Sequence, residues 1–168
     1  MIPAFAGMTG LMKSAITKTT VSLLKAPLNQ PFRTALGQHD SLENILFKIE
    51  LEDGTVGFGE AAIATHITGE TIPETQKNLK AIGKILLRRD AAEYLKISVE
   101  INDLLPYNKS AVAAVEVALM DALTRQWKIP LWKFFGAKAY KLSTDITIVI
   151  AMPEYNCWSS APTKTIGI

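Results

Sequence analysis

Between Asn44 and Glu52 apolar and polar residues alternate, Ile45, Phe47, Ile49 and Leu51 against Asn44, Lys48, Glu50 and Glu52, with Leu46 the one exception. A two-residue period of this kind predicts a β-strand with one buried face. Asp53-Gly54 reads as a two-residue hairpin turn whose central residues need positive φ. That turn predicts Leu51 opposite Val56 and Ile49 opposite Phe58, so that the apolar faces coincide. Carried one step further, the register sets Glu60 opposite Phe47, on the apolar side, where a hydrogen-bonded strand end is favoured over a ligand or catalytic role. Upstream, Ser14 to Leu24 carries β-branched Ile16, Thr17, Thr19, Thr20 and Val21 and reads as another strand. Pro27 and Pro31 predict a long loop, Leu28 to Ser41, containing Phe32, Arg33, Thr34, His39 and Asp40.

After the strands the period changes. Ala62 to Glu70 is a second polar loop, with His66 read as a solvated histidine. Thr71-Ile72-Pro73-Glu74 has capping-box spacing and opens a helix to about Arg89, whose core side is Leu79, Ile82, Ile85 and Leu86. Asp90 to Glu93 repeats the arrangement and opens a helix that Pro106 ends, after which Asn108 or Ser110 can cap a central helix. In that helix Val112, Val115, Leu119, Ala122 and Leu123 recur at three- and four-residue steps, and Ala111, Ala114 and Ala118 form a face small enough for close packing. Glu116 and Asp121 interrupt its apolar surface and need partners. Pro130 to Phe135 is a short second helical piece closed by Gly136. Thr144 to Ala151 is a compact apolar strand of the kind buried in a parallel sheet or barrel, with no partner strand left in the chain. Strands followed by helices predict an α+β fold: a three-stranded antiparallel meander packed on a helical bundle, plus one orphan strand.

The 168 residues are 48% hydrophobic, enough for a core. A formal charge of +2, with one tight basic cluster (Lys84, Arg88, Arg89) at a helix end, argues against a nucleic-acid partner. The single cysteine, Cys157, permits no internal disulfide and suits a cytoplasmic setting. Residues 1–13 have no basic residue before a short apolar stretch, so neither a signal peptide nor a membrane span is expected. They read as a disordered extension, with Met12 as an alternative start. Two histidines and one cysteine offer no metal cluster, and no catalytic or metal residue is assigned.

The run Ala113-Ala114-Val115-Glu116-x-Ala118-Leu119-x-Asp121, followed by Arg125, Pro130-Leu131 and Gly136, resembles the N-terminal-domain signature of the mandelate racemase and muconate lactonizing branch of the enolase superfamily. Thr124 departs from the usual Gly or Ala there, and Phe134 from the usual Leu. Gly57-Phe58-Gly59-Glu60-Ala61 resembles the family's strand ending, which implies that Glu60 is a support. The resemblance covers about Ser14 to Glu154. It implies an extension (1–13), an enolase-type N-terminal capping domain (14–142), the first strand of a (β/α)-barrel running to Pro153-Glu154 (143–154), and a non-family tail (155–168).

In such enzymes a Lys or His base removes a proton next to a carboxylate while a divalent metal, Mg2+, stabilises the enediolate. These groups sit on barrel strands, so the resemblance implies a truncated chain, inactive alone and without a metal of its own. Pro31-Phe32-Arg33-Thr34-Ala35-Leu36 and Ile67-Thr68-Gly69-Glu70 look most like dipeptide epimerases acting on Ala-Glu. That likeness implies two loops closing over a dipeptide, with Phe32, Thr34, Gly37, Ile67 and Thr68 selecting it and Thr147 as a polar contact. Gly37 stands where an Ala-Glu enzyme presents an arginine, which implies an uncharged or different dipeptide. Two alternatives stay open. One is an interaction or dimerisation module using strand 144–151, with a homo-oligomer as its product. The other is a muconate cycloisomerase-like, acid-sugar or succinylbenzoate enzyme of the same branch.

Overall fold

The alternating run around Phe47 forms the centre strand of the sheet, because its apolar face meets helices and both its edges find partners. The computed structural model describes residues 14–34 and 37–138. Among them β1 (Ile16–Thr34), β2 (Gly37–Leu51) and β3 (Val56–Ala61) form an antiparallel sheet of order β1-β2-β3. The helices come after the sheet: α1 (Thr65–Thr68), α2 (Ile72–Leu86), a 3-10 turn (Ala91–Glu93), α3 (Tyr94–Leu104), α4 (Lys109–Gln126) and α5 (Leu131–Phe134). The architecture is α+β, a meander with helices on one face. The extension 1–13, the strand within 143–154 and the tail 155–168 lie outside the described residues.

The turn after β2 differs from the two-residue form expected. Leu51 N–H donates to Thr55 O (2.8 Å) and Gly54 N–H to Leu51 O (2.9 Å), so three residues make the turn. Of these, Gly54 alone takes positive φ (83°), and Asp53 Oδ1 accepts from Thr55 N–H (2.9 Å). One added turn residue shifts the register by one: Glu50 opposes Val56, Ile49 opposes Gly57, Lys48 opposes Phe58, Phe47 opposes Gly59 and Leu46 opposes Glu60. A slip of one flips every side chain of β3 to the other face. Phe58, expected in the core, lies on the outer face between the Lys48 and Arg125 cations, 6.0 and 5.8 Å from its ring centre. Glu60 is on that outer face too, not on the apolar side.

The core side of β3 is therefore Gly57, Gly59 and Ala61, and α4 explains it. A Cβ on Gly57 would lie 2.2 Å from Ala118 O, and one on Gly59 1.8 Å from Ala114 O. Backbone meets backbone there, with Ala114, Ala118 and Ala122 wholly buried in the seam. The alanine face of α4 is thus one half of a contact whose other half is a glycine strand. Val115, Leu119 and Leu123 continue the core, each contributing about 1.5–3 kcal/mol when fully buried. They join Ile45, Phe47, Ile49 and Leu51 from β2 and Leu79, Ile82 and Leu86 from α2. Ile85 is 47% exposed, contrary to expectation. At 100° per residue it sits roughly 120° from Leu79, outside the stripe made by Leu79, Ile82 and Leu86.

The long loop expected over Leu28 to Ser41 is instead the far end of a β-hairpin. Pairing runs to Pro27 opposite Ser41, pauses, and resumes with Phe32 opposite His39, Arg33 opposite Gln38 and Thr34 opposite Gly37. Leu28 to Pro31 bulge out against the single residue Asp40. Prolines donate no ladder bond; the bulge takes up Pro31, and Pro27 is the last paired residue before it, so the strands do not end there. At the other end of β1, Ile16 N–H donates to Arg89 O and Arg88 N–H to Ile16 O, both 2.8 Å, which ties the strand to the exit of α2. Arg89 in turn is forked onto the Glu100 carboxylate, whose hydrogen bonds hold the guanidinium pKa above its ordinary value. The basic cluster is in this respect structural.

Candidate functional site

Two chain segments leave the same end of the sheet. β3 ends at Ala61 opposite Ile45, and Asn44 Oδ1 accepts from Ile63 N–H (3.4 Å), so residues 62–70 depart beside Asn44. The β1–β2 hairpin continues past Asn44 to Gly37, about 20 Å further at the rise of a strand. Phe32, Thr34 and Gly37 lie on its distal part, and Ile67 and Thr68 on α1. Thr147 lies outside the described residues. The structure thus places both predicted loops at one end of the sheet.

The second loop is built around a single helical turn. Thr68 N–H donates to Ala64 O (2.9 Å), Gly69 closes the turn with φ 76°, and Ile67 is displayed outward, 74% exposed. The Thr68 hydroxyl reaches Ala64 O, and Glu70 N–H reaches the same hydroxyl, each at 3.3 Å. Glu70 then turns inward and is only 6% exposed. Its Oε1 accepts from Ser110 N–H (2.9 Å) and from Asn108 Nδ2 (3.0 Å). Asn108, 3% exposed, also donates to Thr75 Oγ1 (2.9 Å) and accepts from Asn78 Nδ2 (3.0 Å).

Asn108 occupies the N-cap position of α4 without making a side-chain cap bond, contrary to expectation. The cap bond comes from Glu70, forty residues away in the chain. Burial pushes the Glu70 carboxyl up, but the Ser110 amide, the Asn108 side chain and the Ser110 and Thr68 side chains outweigh it and hold the pKa below the ordinary carboxylate value. A carboxylate at a helix N-terminus is also favoured by the dipole. Sequence reasoning places Glu70 in the loop but misses this role. The available signal was an acidic residue directly before a capping box.

Other carboxylates are engaged in holding the fold. Glu116 accepts from Ser98 and Asn102, and Asp121 from Phe58 N–H (3.0 Å) and Arg125 Nε (2.8 Å). Glu60 accepts from Asn44, which makes it a support although on the face opposite to the one expected. Thr124, 2% exposed, returns its hydroxyl to Met120 O (2.8 Å). A cavity of about 360 Å3 lies between α3, α4 and α5, lined mostly by apolar side chains such as Leu95, Val117, Met120 and Phe135. Its one carboxylate is Glu116, already bonded to Ser98 and Asn102.

Residues 16–136 match the family model described as the mandelate racemase / muconate lactonizing enzyme, N-terminal domain. The chain belongs to this family. It is 39% identical over 140 residues to a hydrophobic dipeptide epimerase of Citrifermentans bemidjiense, covering 80% of this chain and 38% of that protein. To an L-Ala-D/L-Glu epimerase of Clostridium acetobutylicum it is 32% identical over 153 residues, covering 90% and 43%. Among solved structures, a dipeptide epimerase of Enterococcus faecalis complexed with Mg and the dipeptide L-Leu-L-Tyr superposes with a TM-score of 0.78 at 29% identity, covering 83% of this chain and 39% of that one. The chain therefore spans about two fifths of the length of these relatives.

Magnesium, which the family implies, does not fit the residues at hand. Among the described residues no three of His, Cys, Asp and Glu converge to hold a metal ion. No helix among them is long and apolar enough to cross a membrane.

Proposed function

We propose that residues 14–138 are the substrate-selecting cap of a dipeptide epimerase-like isomerase, inactive without a barrel that supplies base and metal. The observation that carries this reading is the pairing at one end of the sheet of a long hairpin with an anchored turn that displays Ile67. A side chain of that size held 74% exposed on a fixed turn is suited to an apolar partner above it. Gly37 at the hairpin end brings no charge, which fits an uncharged side chain in the dipeptide better than a carboxylate. Likeness to the hydrophobic dipeptide epimerase supports the same choice. Closing two such segments over a substrate would exclude water and orient the dipeptide, while proton removal falls to groups outside this domain.

The purified chain, incubated with Mg2+ and dipeptides in deuterium oxide, is expected to give no α-carbon exchange, and exchange above background would sink the reading of an inactive cap. Residues 14–138 grafted in place of the matched part of the Citrifermentans protein are expected to epimerise dipeptides with apolar side chains at least about tenfold better than Ala-Glu, a preference of about 1.4 kcal/mol.

A further inference from the structure

The Glu70 contact joins two parts of the molecule with different duties. On one side is α4, the most deeply buried helix, fixed against β3 by the glycine–alanine seam. On the other is the turn Thr65–Thr68, none of whose residues is buried. A four-residue helix has too few internal bonds to hold its own orientation. Its internal bonds are those that Ile67 N–H and Thr68 N–H give to Ala64 O and Gly69 N–H gives to Thr65 O. Directly after Gly69 comes the buried carboxylate, bonded to Ser110 and Asn108, and Asn108 is held in turn by Thr75 and Asn78 of α2.

We propose that Glu70 is the positioning residue of the second loop, fastening the turn that displays Ile67 and Thr68 to the N-terminal end of the central helix so that the loop meets substrate in one orientation. The proposal rests on the reading of residues 62–70 as substrate-facing. The Ser110 N–H and Asn108 Nδ2 donors converge on one oxygen, Oε1, so the tie to α4 depends on an acceptor at that point. Glutamine can present the same acceptor and alanine cannot. A residue that merely filled space would be served as well by either a small or a polar replacement, whereas a positioning acceptor is rescued by one and not the other.

Amide hydrogen exchange of the full chain separates the cases without any substrate, so its failure is distinct from failure of the functional reading. In Glu70→Ala the amides of Ile67, Thr68 and Gly69 are expected to exchange about tenfold faster, while those of Ile49 and Leu119 in the core keep their protection relative to global unfolding. Glu70→Gln is expected to restore the loop amides to within about threefold of the wild type, since a neutral acceptor bond replaces a charged one. Unchanged loop exchange in Glu70→Ala would overturn the proposal. So would equal loss in loop and core, or failure of the alanine variant to fold, because Glu70 would then support the whole domain and not the loop. Failure of glutamine to rescue would overturn it as well.

Discussion

A single methyl group tests the closest glycine approach among the described residues. Gly59 faces Ala114 O where a Cβ would come within 1.8 Å of it, and the obstacle is backbone that cannot rotate away. Gly59→Ala is expected to lower the stability by about 3 kcal/mol or more, read as a shift of the urea midpoint, because strand and helix must separate. Ala113, exposed on the same helix, serves as the control, and Ala113→Ser should change little. If Gly59→Ala left the midpoint in place, the register that buries the glycine face of β3 would be wrong. At this scale the sequence was legible where a residue's partners are near in the chain. Thr71 accepts from Glu74 N–H as the spacing indicated, whereas Asp90 accepts from Ala92 N–H and caps only a 3-10 turn, with α3 opening at Tyr94 without a side-chain cap bond. It was not legible for Phe58 or Glu70, whose surroundings come from Arg125 and from Ser110.

Elements depend on their ends. The N-terminus of α4 leans on Glu70, whose pKa in the folded chain lies below its ordinary 4.5. A group depressed on folding contributes stability that is full above its unfolded pKa and drains away as pH falls through the folded one. Wild type is therefore expected to be more stable than Glu70→Gln near pH 6, with the gap shrinking toward about pH 3 as the carboxyl protonates and comes to resemble the amide. Urea titrations of both proteins across that range measure it. A gap that stayed constant or widened on acidification would contradict the anchoring of α4 by a charged Glu70. The strand β2 and the helix α4 were recovered from periodicity, since alternation in the one and three-to-four spacing in the other are local properties, whereas α1 lies in a stretch read as loop. The extent of the strands was less visible. β1 and β2 run on through Pro27 and Pro31 because a bulge takes up the residues that cannot pair, and whether a proline ends a strand or bulges from it depends on the opposite strand.

The buried apolar core of the whole described domain is contributed by residues from Ile16 to Leu123, and it joins sheet, α2, α3 and α4 in one cluster. A chain ending at Lys138 is accordingly expected to unfold in one cooperative step, with coincident far-ultraviolet dichroism and fluorescence of Trp127 and Trp132. Two separated transitions would mean that the meander and the helices are independent units.

By itself the sequence determined the α+β class, the order of elements and the membership of the family, because all three are written in local periods and in the spaced residues of α4. Only the tertiary structure decided which face of β3 is buried and what holds the second loop. Both are settled by partners far along the chain: a glycine face has meaning only once an alanine helix lies on it, and a buried carboxylate only once a helix end supplies its donors.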